Sequence, residues 1–224
     1  MTESPLTTPV VFLLGPVPVT PPVVVTWGLM AAMALGSALA TRRLRVERPG
    51  PVQTVLELVV ETLRRQIAET MQTDATPFLP LLGTLFLYLA VANLSGLVPG
   101  LKAPTAFLET AAALALIVLL ASQALGIRRR GLWNYLKGFA HPTPILLPLN
   151  LLSELTRAFS LSIRLFGNVM SGEFVIAIVL SLAGLFVPVP LMALELLLGL
   201  VQAYIFTILA AVFIGGAVGT IEKG

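Results

Sequence analysis

The sequence predicts an all-α integral membrane protein with five membrane-crossing helices and one amphipathic helix at the membrane interface. Hydrophobic residues make up 57% of the 224-residue chain and charged residues only 11%, whereas a soluble domain carries about 25% charged residues. Several apolar runs also reach the length of about 20 residues that a helix needs to cross a bilayer. The chain contains no cysteine, which excludes disulfides and thiolate metal sites. We expect residues 1–224 to form one membrane domain.

The first part of the chain contains a lead-in, a span and an amphipathic segment. Residues 1–21 are rich in proline and lack the basic start of a signal peptide, so we expect an external lead-in and no cleaved leader. Residues 22–41 form the first predicted span. In residues 52–72, apolar side chains recur at helical spacing opposite a charged face. This pattern favours a helix lying in the membrane interface, and a partner-binding helix is the alternative.

Four further apolar segments complete the predicted architecture. Residues 77–98 and 106–127 have the length of ordinary spans. Residues 145–186 and 191–219 are longer, and only a short proline-containing stretch separates them. As helices they would measure about 60 Å and about 44 Å, which is more than a bilayer core requires. We therefore expect a long, steeply tilted hairpin, whose exposed flank suits packing against a large partner.

The distribution of basic residues predicts the orientation of the chain. Lys and Arg are enriched in cytoplasmic loops, and one side of the predicted topology holds eleven of the fourteen. We therefore expect the N-terminus outside and the C-terminus in the cytoplasm. This clustering accounts for the net charge of +3 without nucleic-acid binding, which we do not expect. The opposite side holds only Lys102, and the eleven are Arg42, Arg43, Arg45, Arg48, Arg64, Arg65, Arg128, Arg129, Arg130, Lys137 and Lys223.

Arg164 is the leading functional candidate because it lies inside an apolar segment. An arginine at the centre of a bilayer costs about 3 kcal/mol on insertion scales. Its guanidinium cannot release a proton at attainable pH, so we interpret Arg164 as a fixed positive charge and not as part of a proton relay. Steps of three or four residues place other polar side chains on the same helical stripe; these are Arg157, Ser160, Asn168 and Ser171.

Glutamates are predicted on both sides of Arg164 along the membrane normal. With the orientation above, Glu154 lies on the cytoplasmic side and Glu173 on the external side. On the last helix, Glu195 is external relative to Gln202. Proton relays in membranes are built from Asp, Glu and His, so these positions predict two relays separated by the fixed charge.

Structural explanations remain open for several of these residues. Glu154 is one turn before Arg157, and a local ion pair would explain both. Asn93 in the second span and Gln202 could instead form hydrogen bonds that bridge helices. Glu109, near the outer end of the third span, is a further polar candidate for the ion pathway.

Three segments together resemble a known family. They are HPTPILLPLNLLSELTRAFSLSIRLFGNVMSGE, LVQAYIFTILAAVFI after it and LFLYLAVANLSGLVPG before it. The chain closely resembles subunit a of the F-type ATP synthase membrane sector, and SIRLFGN followed by GE and a later QAYIF is the most specific part. The resemblance implies a bacterial plasma-membrane protein, a partner ring of subunit c, a peripheral-stalk subunit b and translocation of H⁺, with Na⁺ as the alternative ion.

The resemblance also implies roles for individual residues. Arg164 matches the family's essential arginine, and Asn168 and Gln202 line its neighbourhood. Glu173 and Glu195 match polar positions of the external access channel, where some relatives have a histidine at the Glu195 position. No cofactor or metal is implied. The chain has no GxxxxGK[ST] nucleotide-binding run and is not expected to be an enzyme on its own.

The mechanism implied by the resemblance is rotary. A proton from outside passes Glu195 and Glu173 and neutralises a ring carboxylate, which then turns into lipid without the cost of burying a charge. When the carboxyl reaches Arg164, the opposite charge favours its ionised form, and the proton leaves near Glu154. Rival functions are a self-contained secondary transporter, whose typical paired repeats are not visible here, and a scaffold in which Arg164 is structural.

Overall fold

Six long α-helices make up most of the described chain. The computed structural model describes residues 12–14, 17–42, 50–98, 101–133, 146–184 and 187–219. A small antiparallel hairpin of β1 (Phe12–Leu14) and β2 (Val17–Val19) comes first. The helices are α1 (Pro21–Thr41), α2 (Pro51–Met71), α3 (Leu79–Ser95), α4 (Leu108–Arg130), α5 (Leu146–Ala183) and α6 (Pro188–Val218), with a 3-10 helix at Pro104–Ala106 before α4.

The helical membrane architecture predicted from composition is confirmed. Among the described residues, α1, α4, α5 and α6 are each long and apolar enough to cross a membrane. Helix α3 is apolar but shorter, with 17 residues. Its length of about 26 Å falls slightly below the ~30 Å hydrocarbon core, so it fits a fifth crossing with little tilt.

Helix bounds differ from the predicted spans by up to three residues. The third predicted span began at residue 106, but the 3-10 helix occupies that position and α4 runs on to Arg130. The last helix begins at Pro188, before the predicted residue 191, and a proline occupies its first turn. Proline suits this position because its missing N–H has no helical partner there. Of the basic residues used for orientation, Arg43, Arg45, Arg48, Lys137 and Lys223 lie outside the described residues.

Helix α6 lies at the centre of the bundle and packs against α2, α3, α4 and α5. Small side chains such as Ala203, Ala210 and Ala211 are fully buried along it. Lipid is as apolar as a leucine side chain, so close packing and interhelical hydrogen bonds, more than the hydrophobic effect, hold such helices together. Helix α1 lies at the edge of the bundle, against α3 and the 3-10 helix.

Helix α2 belongs partly to the core, which differs from a purely interfacial position. Leu63, Ile67 and Met71 are buried in the same cluster as α3 and α6 residues. Val52 and Val55, nearer its start, are 65% and 60% exposed. The apolar stripe predicted from spacing therefore serves two environments, and only its first half is free for the membrane interface or a partner.

The C-terminal ends of α4 and α6 are joined by an arginine. Arg130 donates a hydrogen bond from Nε to the Val218 carbonyl oxygen at 3.1 Å. Gly219 follows with a φ of 82°, in the left-handed region that favours glycine at helix ends. A guanidinium also complements the partial negative charge of a helix C-terminus, so this contact fixes the end of α6 against α4.

Candidate functional site

Arg164 lies in the middle of α5 on its exposed face. Its neighbours Leu161 and Leu165 are 1% and 0% exposed and face the core. The Arg164 side chain faces outward and forms no hydrogen bond or ion pair with any residue that the structure describes. An unpaired charge within an apolar span is costly in a membrane, so Arg164 is the residue of α5 whose position most needs an explanation.

A cavity of about 630 Å³ extends from Arg164 along the first half of α5; we call it the Arg157 cavity. Its walls come from α5 and from the second half of α6. Two arginines and several hydroxyl groups place polar groups in an otherwise apolar α5 wall. The lining residues are Leu149, Leu152, Ser153, Thr156, Arg157, Ser160, Leu161, Arg164, Leu209 and Phe213.

Arg157 makes two contacts at this cavity. Its Nη1 lies 3.4 Å from Glu154 Oε1, which confirms the local pair that the sequence allowed. Its guanidinium carbon lies 5.8 Å from the centre of the Phe213 ring on α6, within the range of a cation–π interaction. Sequence reasoning missed Phe213, because an aromatic residue in an apolar helix carries no polar signal.

A second cavity, of about 220 Å³, begins one helical turn beyond Arg164; we call it the Glu195 cavity. It is lined by α3, α5 and the first half of α6. Four of the predicted site residues, Asn93, Asn168, Ser171 and Glu195, line it. The rise from Arg164 to Asn168 is only about 6 Å along α5, so the two cavities approach each other closely at the arginine.

Glycine makes room for the Glu195 carboxyl group. A Cβ added to Gly172 would lie 2.6 Å from Glu195 Oε1 and 2.9 Å from its Cδ. No real Cβ tolerates these distances, so the carboxyl group packs directly on the α5 backbone. The contact explains why residue 172, in the Gly172–Glu173 pair of the sequence, is a glycine. Residue spacing alone did not indicate this reason.

Glu173 is near the Glu195 cavity but has different neighbours. Its carboxyl group accepts a hydrogen bond from the Ala103 backbone and lies within electrostatic range of Lys102 and Glu195. Ala103 also packs on Val169 of α5. The segment before α4 therefore holds Glu173 beside the Glu195 cavity, and this side chain does not line the cavity itself.

Asn93 bridges three elements, as the structural alternative predicted. Its Nδ2 donates to the Gly199 carbonyl oxygen at 2.8 Å, and its Oδ1 accepts from Thr105 Oγ1 at 2.7 Å. Helix α3 is thereby joined to α6 and to the 3-10 helix. Thr105 is fully buried; sequence reasoning missed it because a single threonine after a proline is common in loops.

Gln202 occupies a different environment from the other amides. It is 5% exposed, and its Nε2 has no hydrogen-bond partner among the described residues. On α6 it lies between Gly199, which lines the Glu195 cavity, and Leu209, which lines the Arg157 cavity. An unsatisfied buried donor costs about 1–3 kcal/mol, so Gln202 calls for a functional explanation.

Glu109 lies away from both cavities. It is in the first turn of α4, and its Oε2 accepts a hydrogen bond from Thr20 Oγ1 at 3.4 Å. A carboxylate is favourable near a helix N-terminus. The contact joins the starts of α1 and α4 and gives Glu109 a structural role.

Comparison with known proteins identifies the family. Residues 23–215 match the family model described as ATP synthase A chain. The chain belongs to this family. It is 59% identical to "ATP synthase subunit a 2" of Bradyrhizobium sp. strain BTAi1 over the full length of both chains. It is 46% identical to "ATP synthase subunit a 2" of Pelobacter propionicus, over 96% of this chain and 94% of that one.

Membership in the ATP synthase A chain family confirms the resemblance that SIRLFGN and QAYIF indicated. The chain is a multi-pass membrane protein, a non-catalytic subunit of the ATP synthase membrane sector, and acts in ion translocation there. A further relative, "ATP synthase subunit a 1" of Chlorobaculum parvum, is 48% identical over 90% of this chain and 89% of that one.

Proposed function

We propose that the chain is the stator subunit of a rotary ATP synthase and that Arg164 couples ion translocation to rotation. The proposal rests on the position of Arg164, which lines one cavity and lies one helical turn from a second, each with a few polar side chains in a mostly apolar wall. Its guanidinium has no ion-pair partner in the described part of the chain. A permanent cation exposed on a helix face is suited to attract a carboxylate that arrives from another subunit.

The carboxylate is supplied, in this proposal, by a ring of subunit c lying against α5. Beside the polar stripe that contains Arg164, α5 has an exposed apolar face, on which Phe159 and Ile163 are 68% and 42% exposed. Gly167, one turn after Ile163, has nothing within 4 Å of a Cβ built on it. Such a flat, apolar surface allows a partner helix to approach closely and to slide past.

The Glu195 cavity serves as the outer half-channel. Glu195, Asn168, Ser171 and Asn93 give it oxygen-bearing groups that can pass a cation. Glu173 lies at its rim beside Lys102, where an ion arrives from outside. The ion then neutralises the ring carboxylate, and a neutral carboxyl group can enter lipid where an ionised one cannot.

The Arg157 cavity serves as the inner half-channel. When a ring carboxyl group meets Arg164, the opposite charge favours its ionised form, and the ion is released into this cavity. The guanidinium of Arg164 and the buried amide of Gln202 lie between the two cavities and prevent direct passage of ions. Rotation is then the only route from one side to the other.

The orientation follows from charge, with the N-terminus outside and the C-terminus in the cytoplasm of a bacterium. The exposed basic residues Arg128 and Arg129 end α4 on the side of the Arg157 cavity, which supports assignment of that cavity to the cytoplasm. Subunit b of the peripheral stalk then holds the chain against the torque of the ring.

The proposed ion is H⁺, with Na⁺ as the alternative outcome of the test. Each charge that crosses gains about 2.3 kcal/mol per 100 mV of membrane potential, so several ions are needed for each ATP. Proton uptake is followed with a pH-sensitive dye and sodium uptake with a radioactive tracer. Sodium uptake that survives a protonophore would replace H⁺ by Na⁺ without altering the role of Arg164.

The decisive variant is Arg164→Ala in the complete ATP synthase complex, reconstituted in proteoliposomes. We expect ATP-driven ion uptake and ion-driven ATP synthesis to fall to background while the complex still assembles. Arg42→Ala is the matched control, because it removes an exposed arginine at the end of α1, away from both cavities. Coupled transport that persists in Arg164→Ala would contradict the proposal, and loss of assembly alone would favour a scaffold.

A further inference from the structure

Two arginines line the Arg157 cavity, and the proposed function assigns a role only to Arg164. We infer that Arg157 sets the affinity of the inner half-channel for the transported ion, as a positioning charge that acts on the ring carboxyl group facing Arg164. The inference rests on the proposed stator function and adds to it a residue that controls ion release. It differs from a local ion pair, in which Arg157 would only neutralise Glu154.

Arg157 and Arg164 share one face of α5. They are seven residues apart, which is almost two full helical turns and about 10 Å along the axis. Both side chains line the same cavity, together with Ser160 between them. An ion released near Arg164 therefore passes the guanidinium of Arg157 before it leaves the cavity.

Two contacts on different helices hold the Arg157 guanidinium in the cavity wall. Glu154 on α5 lies 3.4 Å from Nη1, and the Phe213 ring on α6 lies 5.8 Å from the guanidinium carbon. The flat guanidinium stacks on an aromatic face while keeping its charge. Phe213 thus keeps the positive group turned toward the cavity, whereas an ion pair alone would leave it free to turn away.

The charge arrangement favours release of a cation. Arg157 is permanently charged, so it raises the electrostatic potential of the cavity and disfavours a bound cation at the ring carboxyl group. Glu154 opposes this effect, but it is ten residues from Arg164, about 15 Å along α5. The nearer positive charge of Arg157 therefore dominates. Together with Arg164, it favours the ionised form of the ring carboxyl group.

The test measures how ATP-driven ion uptake depends on the ion concentration at the cytoplasmic face. Inverted vesicles carrying the complete complex expose that face, and the probe is H⁺, varied as medium pH, or Na⁺ where uptake is sodium-dependent. In Arg157→Gln we expect half-saturation at an ion concentration lower by about 2- to 16-fold, the range for one unit charge ~10 Å away at effective dielectric constants between ~80 and ~20. Arg157→Lys, which keeps the charge, should restore much of the wild-type value.

Glu154→Gln gives the opposite prediction. Removing the negative charge should raise the half-saturating ion concentration, by a smaller factor because Glu154 is farther from Arg164. The double variant Arg157→Gln/Glu154→Gln should lie between the two single variants. Phe213→Leu keeps both charges and should shift the value in the same direction as Arg157→Gln, which tests the inference even if Arg157→Gln fails to assemble.

Arg128→Gln is the matched control, because it removes an exposed arginine from the end of α4 outside the cavity. It should leave half-saturation unchanged. The inference would be overturned if Arg157→Gln and Glu154→Gln shifted the half-saturating ion concentration in the same direction, or if neither variant shifted it. A purely structural ion pair predicts the same effect whichever partner is removed. Coupled transport in Arg164→Ala would instead overturn the stator function, so the two failures are distinguishable.

Discussion

Gly172 and Glu195 are in direct contact across the α5–α6 hairpin. The Oε1 atom of Glu195 lies 2.6 Å from the position that a Cβ on residue 172 would occupy. The carboxyl group therefore takes the space that any side chain at this position would fill. Because Glu195 also lines the smaller cavity, this contact fixes the position of a carboxyl group in the cavity that we propose as the outer half-channel.

Gly172→Ala should impair transport more than stability. The methyl group must displace the Glu195 carboxyl group, because the backbone of a packed helix yields less readily than a side chain. We expect ion-driven ATP synthesis to fall several-fold with normal assembly. The measurement is ATP synthesis in proteoliposomes against an imposed ion gradient.

Gly216→Ala is the control for this substitution. Gly216 lies on α6 with nothing within 4 Å of a built Cβ, and alanine is the better helix former by about 0.5–1 kcal/mol. Its activity should match the wild type. Equal activity of Gly172→Ala would mean that the position of the Glu195 carboxyl group does not limit transport.

Thr105→Val should destabilise the packing of the 3-10 helix against α3. The variant removes the hydrogen bond of 2.7 Å to Asn93 Oδ1 but keeps the shape of the side chain. Hydrogen bonds between membrane helices contribute about 0.6 kcal/mol on average and ~1.7 at most. We expect a loss in this range, measured by denaturation of the purified chain in mixed micelles.

A double-mutant cycle with Asn93→Leu isolates the contact. If Thr105 acts through Asn93, the two losses will not add, because either substitution alone already breaks the bond. Thr105→Ser, which keeps the hydroxyl group, should stay near the wild type. Strictly additive losses would show that Thr105 stabilises the chain through packing alone.

The sequence was sufficient to predict the helices but not the contacts between them. Apolar runs of span length predict helices because backbone groups in lipid must be satisfied within one segment. Arg164 and Glu195 were identifiable because charges are rare in such runs. Gly172 and Phe213 were not, since an apolar residue in an apolar helix shows its role only through a neighbour distant in sequence.

Helix α2 illustrates a second reason for incomplete prediction. Its apolar stripe runs unbroken along one face, yet Ile67 is buried in the bundle and Val55 is exposed. Periodicity indicates which face is apolar, but it does not indicate what covers each turn. The Tyr204 hydroxyl group of α6 donates a hydrogen bond to Gln66 Oε1 at 2.8 Å. No local sequence pattern predicts this contact.

The turn between α2 and α3 should be sensitive to acid. Asp74 accepts hydrogen bonds from the Thr76 hydroxyl group at 2.7 Å and from the Thr76 amide at 3.1 Å. These bonds, the hydroxyl bond foremost, lower the pKa of the Asp74 carboxyl group from its ordinary value of 3.8, and the charge of Arg64 adds to the effect. The stabilisation is therefore present above the ordinary pKa and is lost as the pH falls through the lowered value.

A carbon NMR titration of Asp74 in the purified chain measures this directly. The midpoint should lie below 3.8 in the wild type. In Thr76→Val it should move upward, because the hydroxyl donor that favours the ionised carboxyl group is gone. An unchanged midpoint in Thr76→Val would mean that the Thr76 hydroxyl group does not set the pKa of Asp74.

Gln202→Leu should separate the stability of the chain from its coupling. Among the described residues, the Gln202 Nε2 atom has no hydrogen-bond partner. Replacing an unsatisfied buried polar group by an apolar one of similar size is nearly neutral or stabilising. We therefore expect resistance to denaturation in mixed micelles to be equal to or above that of the wild type.

The coupling of ion flow to ATP synthesis should fall in Gln202→Leu, although the stability of the protein does not. If the amide of Gln202 acts with Arg164 at the boundary between the two cavities, as proposed, Gln202→Leu will lower ATP synthesis at a given ion gradient although the protein is no less stable. Gln123→Leu, on α4 away from both cavities, is the matched control for ATP synthesis. A variant that is less stable and fully coupled would assign Gln202 to the structure, because the unsatisfied donor would then have found a partner within the assembled chain.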